Sequence, residues 1–337
     1  MKVLFRCDAS PDIGAGHVTR CLTLADTLAE QGWECTFCIS PETLATLPGL
    51  ANTPYPFISP SEAPWRYGWL IVDHYDLDAG YEQAARQWAD HILVIDDLAD
   101  RPHDCDLLVD QTLGRHTDDY YDLVPKGCKI LTGSDYAILS PQFPEMREPA
   151  LKRREARQGT IERLLVTPGR TNIGNVTSFV LNALHGITHT ALIIEVALGG
   201  TARHLDSVRE NIDLLNSTSQ HSATLHLDAD NMAQIMYLSD LAIGAGGTTS
   251  WERCCLGLPT LLIVLANNQR KIAQELDNAD AIPEFWEYVS LTEKNITRGI
   301  ANLFKNPDNL IKNSLRSSKI CDGAGKDRIV KVVKNEI

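Results

Sequence analysis

The sequence predicts an α/β protein of two doubly wound domains, and three observations predict it. Strand-like and helix-like stretches alternate, stop around residues 140–160, and then alternate again. Several strands, such as Leu70-Ile71-Val72 and Ile92-Leu93-Val94-Ile95, are continuously apolar, as in a parallel sheet covered by helices on both faces. At 337 residues the chain is also long enough for two domains of ordinary size.

In order, the first half reads as strands near 2–6, 33–39, 69–73, 92–96, 106–109 and 129–132, with helices near 17–31, 41–46 and 79–89. Ser140-Pro141-Gln142-Phe143-Pro144 and the charged run Lys152-Arg153-Arg154-Glu155 lack a strand pattern. They set the expected boundaries: a first domain over 1–145, a linker over 146–160 and a second domain over 161–337. In that second domain, strands near 161–166, 191–198, 224–227, 241–244 and 260–265 alternate with helices near 174–185, 203–215, 231–238 and 249–257. A ligand cleft between the domains is expected.

Composition narrows the function. A net charge of −13 argues against nucleic acid or an anionic membrane surface as partner, since both require a basic footprint. No apolar run reaches a membrane span, and the N-terminus shows no signal region, so a cytoplasmic protein without stable membrane association is expected, as a monomer. The nine cysteines are scattered and odd in number, which fits reduced thiols. Cys35 and Cys38 have redox or zinc spacing but lie in a predicted strand, where residues three apart face opposite ways. Cys254 and Cys255 are adjacent on a predicted helix with no second pair nearby.

The most informative segment is Gly14-Ala15-Gly16-His17, after the strand Lys2-Val3-Leu4-Phe5-Arg6 and at the start of a helix. Strand, glycine loop and helix N-terminus together aim unpaired backbone N–H groups at whatever binds. His17 stands at the mouth of that cradle, and histidine is the side-chain type suited to taking a proton near neutral pH. A nicotinamide fingerprint fails, because position 19 is Thr19 where glycine is required, and the second strand ends in Ser40-Pro41 with no acidic residue.

A second cradle is Gly244-Ala245-Gly246-Gly247-Thr248-Thr249-Ser250-Trp251-Glu252, between the strand Leu241-Ala242-Ile243 and a helix that stops at Gly257-Leu258-Pro259. Glu252 then has two readings. An acidic residue in a first turn favours the helix dipole, and a carboxylate can accept from both hydroxyls of a ribose while the loop holds a diphosphate. Asn268-Gln269, after the next strand, lie where doubly wound domains bind ligands, or form a turn. Asp73-His74-Tyr75 and Asp96-Asp97 end strands on the corresponding edge of the first domain. The adjacency of Asp96 and Asp97 favours helix capping or loop hydrogen bonding over a shared metal, and no metal or cofactor is expected.

Together, Arg6-Cys7-Asp8, Ile13-Gly14-Ala15-Gly16-His17, Asp73-His74-Tyr75, Asp96-Asp97-Leu98-Ala99-Asp100-Arg101, Cys105-Asp106-Leu107-Leu108-Val109-Asp110-Gln111, Gly246-Gly247-Thr248-Thr249-Ser250-Trp251-Glu252-Arg253 and Gly257-Leu258-Pro259 followed by Asn268-Gln269 form a pattern. It resembles the UDP-sugar hydrolases of pseudaminic acid biosynthesis, in the same order from residue 1 to about 270. The resemblance implies a GT-B fold, like that of the transferase adding N-acetylglucosamine to the peptidoglycan lipid precursor. It also implies hydrolysis of UDP-2,4-diacetamido-2,4,6-trideoxy-β-L-altropyranose at the anomeric carbon with inversion, giving UDP and the free sugar. By the same resemblance His17 is catalytic, with Gly14, Gly16, Tyr75, Gly169, Gly246, Gly247, Thr248, Thr249, Glu252, Asn268 and Gln269 binding substrate or nucleotide. A glycosyltransferase and a UDP-sugar 2-epimerase are the alternatives.

One stretch departs from the pattern. In Thr167-Pro168-Gly169-Arg170-Thr171-Asn172-Ile173-Gly174-Asn175-Val176-Thr177, Arg170 and Asn172 stand where the family has glycine and aspartate. Either Arg170 gives the pyrophosphate a charge-assisted contact, or the loop is remodelled.

Overall fold

The structure, a computed structural model, describes residues 1–10, 13–62 and 66–335. The chain divides into two compact units, Met1–Ser140 with Gly323 onward, and Pro141–Asp322.

The first unit is a parallel sheet of β1 (Lys2–Cys7), β2 (Glu34–Cys38), β3 (Phe57–Ile58), β4 (Tyr67–Asp73), β5 (Ala89–Ile95), β6 (Leu107–Asp110) and β7 (Lys129–Thr132), in the order β3-β2-β1-β4-β5-β6-β7. Its helices are α1 (Gly16–Ala29), α2 (Pro41–Thr46), α3 (Ala79–Ala85) and, from the far end of the chain, α12 (Gly325–Asn335). Strand order reverses between β1 and β4, which lie side by side with Cys7 opposite Asp73. Alternate residues of the strands face different cores: Val3 and Phe5 pack with Val18, Leu24 and Leu28 of α1, while Leu4, Leu70 and Val72 form a second cluster.

The second unit repeats this plan with β8 (Arg163–Thr167), β9 (Ile193–Leu198), β10 (Ser222–Leu227), β11 (Leu241–Ala245), β12 (Thr260–Val264) and β13 (Glu284–Glu287), in the order β10-β9-β8-β11-β12-β13. Around it lie α4 (Gln142–Arg157), α5 (Val176–Leu184), α6 (Leu205–Thr218), α7 (Met232–Leu238), α8 (Thr249–Cys255), α9 (Asn268–Asn278), α10 (Glu293–Lys305) and α11 (Pro307–Ser317). Here the reversal falls between β8 and β11, and Gly244 opposite Thr167 is their last registered pair.

The α/β alternation is as expected, but the boundaries differ. Residues 146–160, expected as a linker, lie mostly within α4, which packs on the second unit. Arginine docks this helix where an apolar stripe would have revealed it. Arg154 donates to the carbonyls of Leu256 (2.7 Å), Ser239 (2.7 Å) and Met236 (2.9 Å), and Arg147 to those of Cys255, Ser318 and Cys321. Apart from that of Cys321, which lies past α11, these are carbonyls at the ends of α7, α8 and α11, which lack intrahelical partners. The expected second domain also ran too far: Ile329, Val330 and Val333 of α12 join the core of the first unit with Val3, Phe5 and Leu24.

The first turn of α12 lies flush on the 3₁₀ turn Ser134–Tyr136, and a Cβ on Gly325 would overlap the Ala137 carbonyl and lie 2.6 Å from its nitrogen. Backbone cannot yield as a flexible side chain can. Gly325→Ala is therefore expected to cost about 1–3 kcal/mol of stability through overpacking, read as a lowered Tm. An unchanged Tm would show that α12 does not dock this closely.

Candidate functional site

Reversal of strand order in a parallel sheet sends the two neighbouring crossovers to opposite faces, opening a crevice at the carboxyl ends of those strands. Several of the residues singled out by the sequence lie at or beside these two places.

In the first unit, β1 ends at Cys7, the chain turns through Gly14 at φ +86°, whose N–H donates to the Ser10 carbonyl (2.8 Å), and α1 begins at Gly16. No side chain caps α1. His17 faces inward and is only 5% exposed, so it is walled in rather than standing at a mouth. Its Nδ1 lies 2.5 Å from Oδ1 of Asp73, the last residue of β4. Arg20, one turn further along α1, grips the same carboxylate from Nε (2.5 Å) and Nη2 (2.6 Å). Asp73 is fully buried, and burial opposes its ionisation. The charge of Arg20 and the hydrogen bonds from Arg20 and His17 outweigh it and hold the carboxyl well below the usual carboxylate range. An ionised carboxylate only accepts, so His17 carries its proton on Nδ1 and the Nε2 lone pair is left to receive another. Arg20 Nη2 is also 3.1 Å from Nδ1, and with the proton there it is a neighbour, not a donor.

Tyr75 meets the His17 ring edge-to-face at 4.5 Å, a second contact on the ring besides Asp73. Asp96 and Asp97 diverge. Asp96 accepts from the N–H of Ala99 (2.8 Å) in its own loop and from the Tyr120 hydroxyl (2.8 Å) beyond β6, whereas Asp97 turns to Arg20 (3.3 Å). Asp8 braces the other wall, accepting from the Ser40 N–H (2.6 Å), the Thr43 hydroxyl (2.9 Å) and Arg6 (2.8 Å), with His74 at 3.2 Å.

In the second unit, Gly246, Gly247 and Thr248 join β11 to α8. The first donors with partners in the turn are Ser250, to Gly247, and Trp251, to Thr248. The N–H groups ahead of them open the helix, as anion cradles do. Gly246 is buried against Gln269, while a Cβ on Gly247 would meet nothing within 4 Å. Glu252 is half-buried and its carboxylate makes no side-chain hydrogen bond or ion pair among the described residues. Burial pushes it up to about 7, against the pull of the Arg253 charge.

The remaining expectations fare differently. Gln269 accepts from the Leu265 N–H (2.9 Å), a turn-forming role, while Asn268 is exposed at the first residue of α9. Gly169 takes φ +112° with open space around it. Arg170 does not point at the glycine loop. It pairs with Asp228, which follows β10, on the side of β8 away from β11. Both partners are about half exposed, so this pair contributes little. Asn172 is fully buried, accepts from the N–H and hydroxyl of Thr177 and donates to the Arg203 carbonyl (3.0 Å). An aspartate lacks that donor, which accounts for the asparagine. Sequence reasoning missed Arg20 and the pairing of Asp73 with His17. The available signal was His17, Arg20 and Cys21 sharing the helix face that continues with Leu24 and Leu28.

Residues 197–330 match the glycosyltransferase family 28 C-terminal domain. The chain spans, at full length, the crystal structure of MurG from Acinetobacter baumannii, with a TM-score of 0.71 at 13% identity over 99% of each chain. The fold is GT-B. The UDP-GlcNAc 2-epimerase from Neisseria meningitidis, solved with UDP-GlcNAc bound, has a TM-score of 0.63 at 14% identity over 99% of this chain and 100% of its own. In sequence, the chain is 27% identical over 286 residues to the UDP-2,4-diacetamido-2,4,6-trideoxy-β-L-altropyranose hydrolase of Campylobacter jejuni, covering 81% of this chain and 95% of that one. Among the described residues no helix is long and apolar enough to cross a membrane, and no three His, Cys, Asp or Glu side chains group as a metal ion requires.

The raised Glu252 has a consequence for stability. From its ordinary value of 4.5 up to about 7, the unfolded chain has released a proton that the folded chain keeps. Stability therefore falls as pH rises through this window and is flat on either side of it. Glu252→Gln removes the penalty, and should stabilise the protein at pH 8 by about 3 kcal/mol, at roughly 1.4 kcal/mol per pKa unit, with no change at pH 4. Denaturant unfolding at the two pH values measures this; the same shift at both would refute it.

Proposed function

We propose that the protein hydrolyses a UDP-sugar at the anomeric carbon, with UDP-2,4-diacetamido-2,4,6-trideoxy-β-L-altropyranose as substrate. The observation that carries this reading is the His17 ring held through Nδ1 by buried Asp73, with Nε2 left as a proton acceptor. The choice of sugar rests on the similarity to the Campylobacter hydrolase over most of both chains.

The roles divide by chemistry. The amides of Gly247, Thr248 and Thr249 at the start of α8 suit the diphosphate, and Glu252 suits the ribose diol, since its carboxylate has no internal side-chain partner. Gly14, Gly16 and Tyr75 suit the sugar, Asn268 offers a side-chain amide to the substrate, and Gly169 lets backbone approach the nucleotide closely. His17 takes a proton from water as the water oxygen bonds to C1. The C1–O bond to the β-phosphate breaks and its electron pair leaves with UDP, so configuration at C1 inverts. Asp73 keeps the proton on Nδ1 and orients the ring, while Arg20 keeps Asp73 ionised. Proton removal by a positioned base contributes about 10²–10⁴-fold, and the N–H donors meeting the charge on UDP supply a large electrostatic part. No step requires a metal. The family 28 match is shared with sugar transfer, in which an acceptor hydroxyl takes the place of water.

His17→Gln is expected to lower kcat by about 10²–10⁴-fold with UDP affinity nearly intact, and Asp73→Asn to lower kcat through the wrong tautomer. Activity should persist in excess chelator. In ¹⁸O-water the label should enter the sugar at C1. Label in UDP would mean attack at phosphorus, an epimer without free sugar would favour the epimerase, and turnover only with an added acceptor would favour transfer. Each of these outcomes overturns hydrolysis at the anomeric carbon.

A further inference from the structure

Two arginines of the second unit are buried almost completely, Arg154 and Arg253, at 8% and 2% exposure. Arg154 is accounted for, because its three guanidinium nitrogens each have a backbone carbonyl. Arg253 is not. Its Nη2 donates to the Ala245 carbonyl (2.6 Å) and the Ser250 hydroxyl (3.1 Å), while Nη1 is buried with no hydrogen-bond partner. Among the described residues no carboxylate forms an ion pair with it. A buried cation with an unused donor is costly, and a native structure that keeps one at a ligand crevice calls for a reason.

Its position supplies that reason. A Cβ on Gly244 would overlap Nη1 and stand 2.9 Å from the Thr167 carbonyl. The charge therefore sits beside Gly244 and Thr167, the last pair of β8 and β11, at the strand ends from which both loops leave the sheet at its reversal. One of those loops carries Gly169, the other Gly246 to Thr249. Gly244 is thus the residue that admits the guanidinium, and Ala245 and Ser250, on either side of the open amides, are tied to it. Because Arg253 hydrogen-bonds the Ser250 oxygen, the Ser250 proton is free to point elsewhere. Burial lowers Arg253 to about 10, so it stays charged at neutral pH.

We propose that Arg253 is a positioning residue for the anionic part of the nucleotide: its unpaired buried charge favours a diphosphate at the amides of Gly247 to Thr249, and its hydrogen bonds fix the loop that presents them. This deepens the reading of that loop as a nucleotide site and rests on it. A purely structural arginine would stabilise the loop for any ligand alike, whereas a buried charge discriminates by ligand charge.

The test measures uridine and UDP affinity by calorimetry for the wild-type chain, Arg253→Gln and Arg253→Lys, with thermal melts to confirm folding. Arg253→Gln is expected to weaken UDP roughly 10- to 100-fold and to leave uridine within about twofold. Arg253→Lys, which keeps the charge and loses the fork, should recover much of the UDP affinity. Equal losses for uridine and UDP, or no recovery with lysine, would overturn the inference while the nucleotide site stands. If Arg253→Gln does not fold, Arg253→Lys decides alone: a smaller loss confined to UDP supports the proposal, and an equal loss for both ligands refutes it. A wild-type protein that binds neither uridine nor UDP removes the nucleotide site itself.

Discussion

Everything at the candidate site depends on the reversal of strand order in each parallel sheet. A right-handed crossover must return its helix to one face, so where the order turns back, the connections leave on opposite faces and nothing covers the strand ends between them. β1 beside β4 and β8 beside β11 are these places. The first brings the start of α1 next to the end of β4, which is how His17 and Asp73, distant in sequence, come to share a proton. The second brings the loop after β8 next to the glycine loop after β11. Neither juxtaposition needs a special loop, because strand order alone produces both.

The two crevices then solve opposite electrostatic problems. The first is rich in carboxylates, and each is answered from nearby: Asp73 by Arg20, Asp8 by Arg6, Asp96 by Arg101, Asp110 by Arg115. Buried ion pairs contribute modest stability, because desolvation offsets much of the attraction, but breaking one is expensive. Such a network therefore holds geometry more than it adds free energy. That suits a ring whose tautomer and orientation must be kept. Among the described residues the second crevice leaves Glu252 and Arg253 without ion-pair partners, so each keeps much of the cost of its own burial.

Much of this was legible in the sequence, and the exceptions share a cause. Apolar runs revealed β4 and β5, and glycine next to a strand end marked both loops. Hydrophobic pattern could not reveal α4, whose buried face includes Arg154 and whose contacts are guanidinium to carbonyl. Nor could it assign α12 to the first unit, since Ile329 and Val333 form an apolar stripe without naming the sheet they pack on. His17 was recognisable from its place after the glycines, but its partner was not, because pairing with Asp73 is a property of strand order. For Arg170 two readings stood open. Sequence gave its neighbourhood, while the exposed Asp228 two strands away decided its direction.

A diphosphate discriminates between these two environments. Brought to the first crevice, it would meet Asp8, Asp73, Asp96 and Asp97, carboxylates already matched to their arginines, and would have to displace one to gain a cation. Brought to the second, it would find unpaired amides above a guanidinium with a donor to spare, and a single carboxylate, Glu252, that burial keeps partly protonated near pH 7. Hydroxyl donors on a bound ligand favour the ionised form of that carboxylate, so the group held in an unfavourable state in the empty protein is the one whose state binding corrects. The stability forgone at Glu252 and Arg253 is thereby convertible into affinity for a ligand bearing both hydroxyls and negative charge.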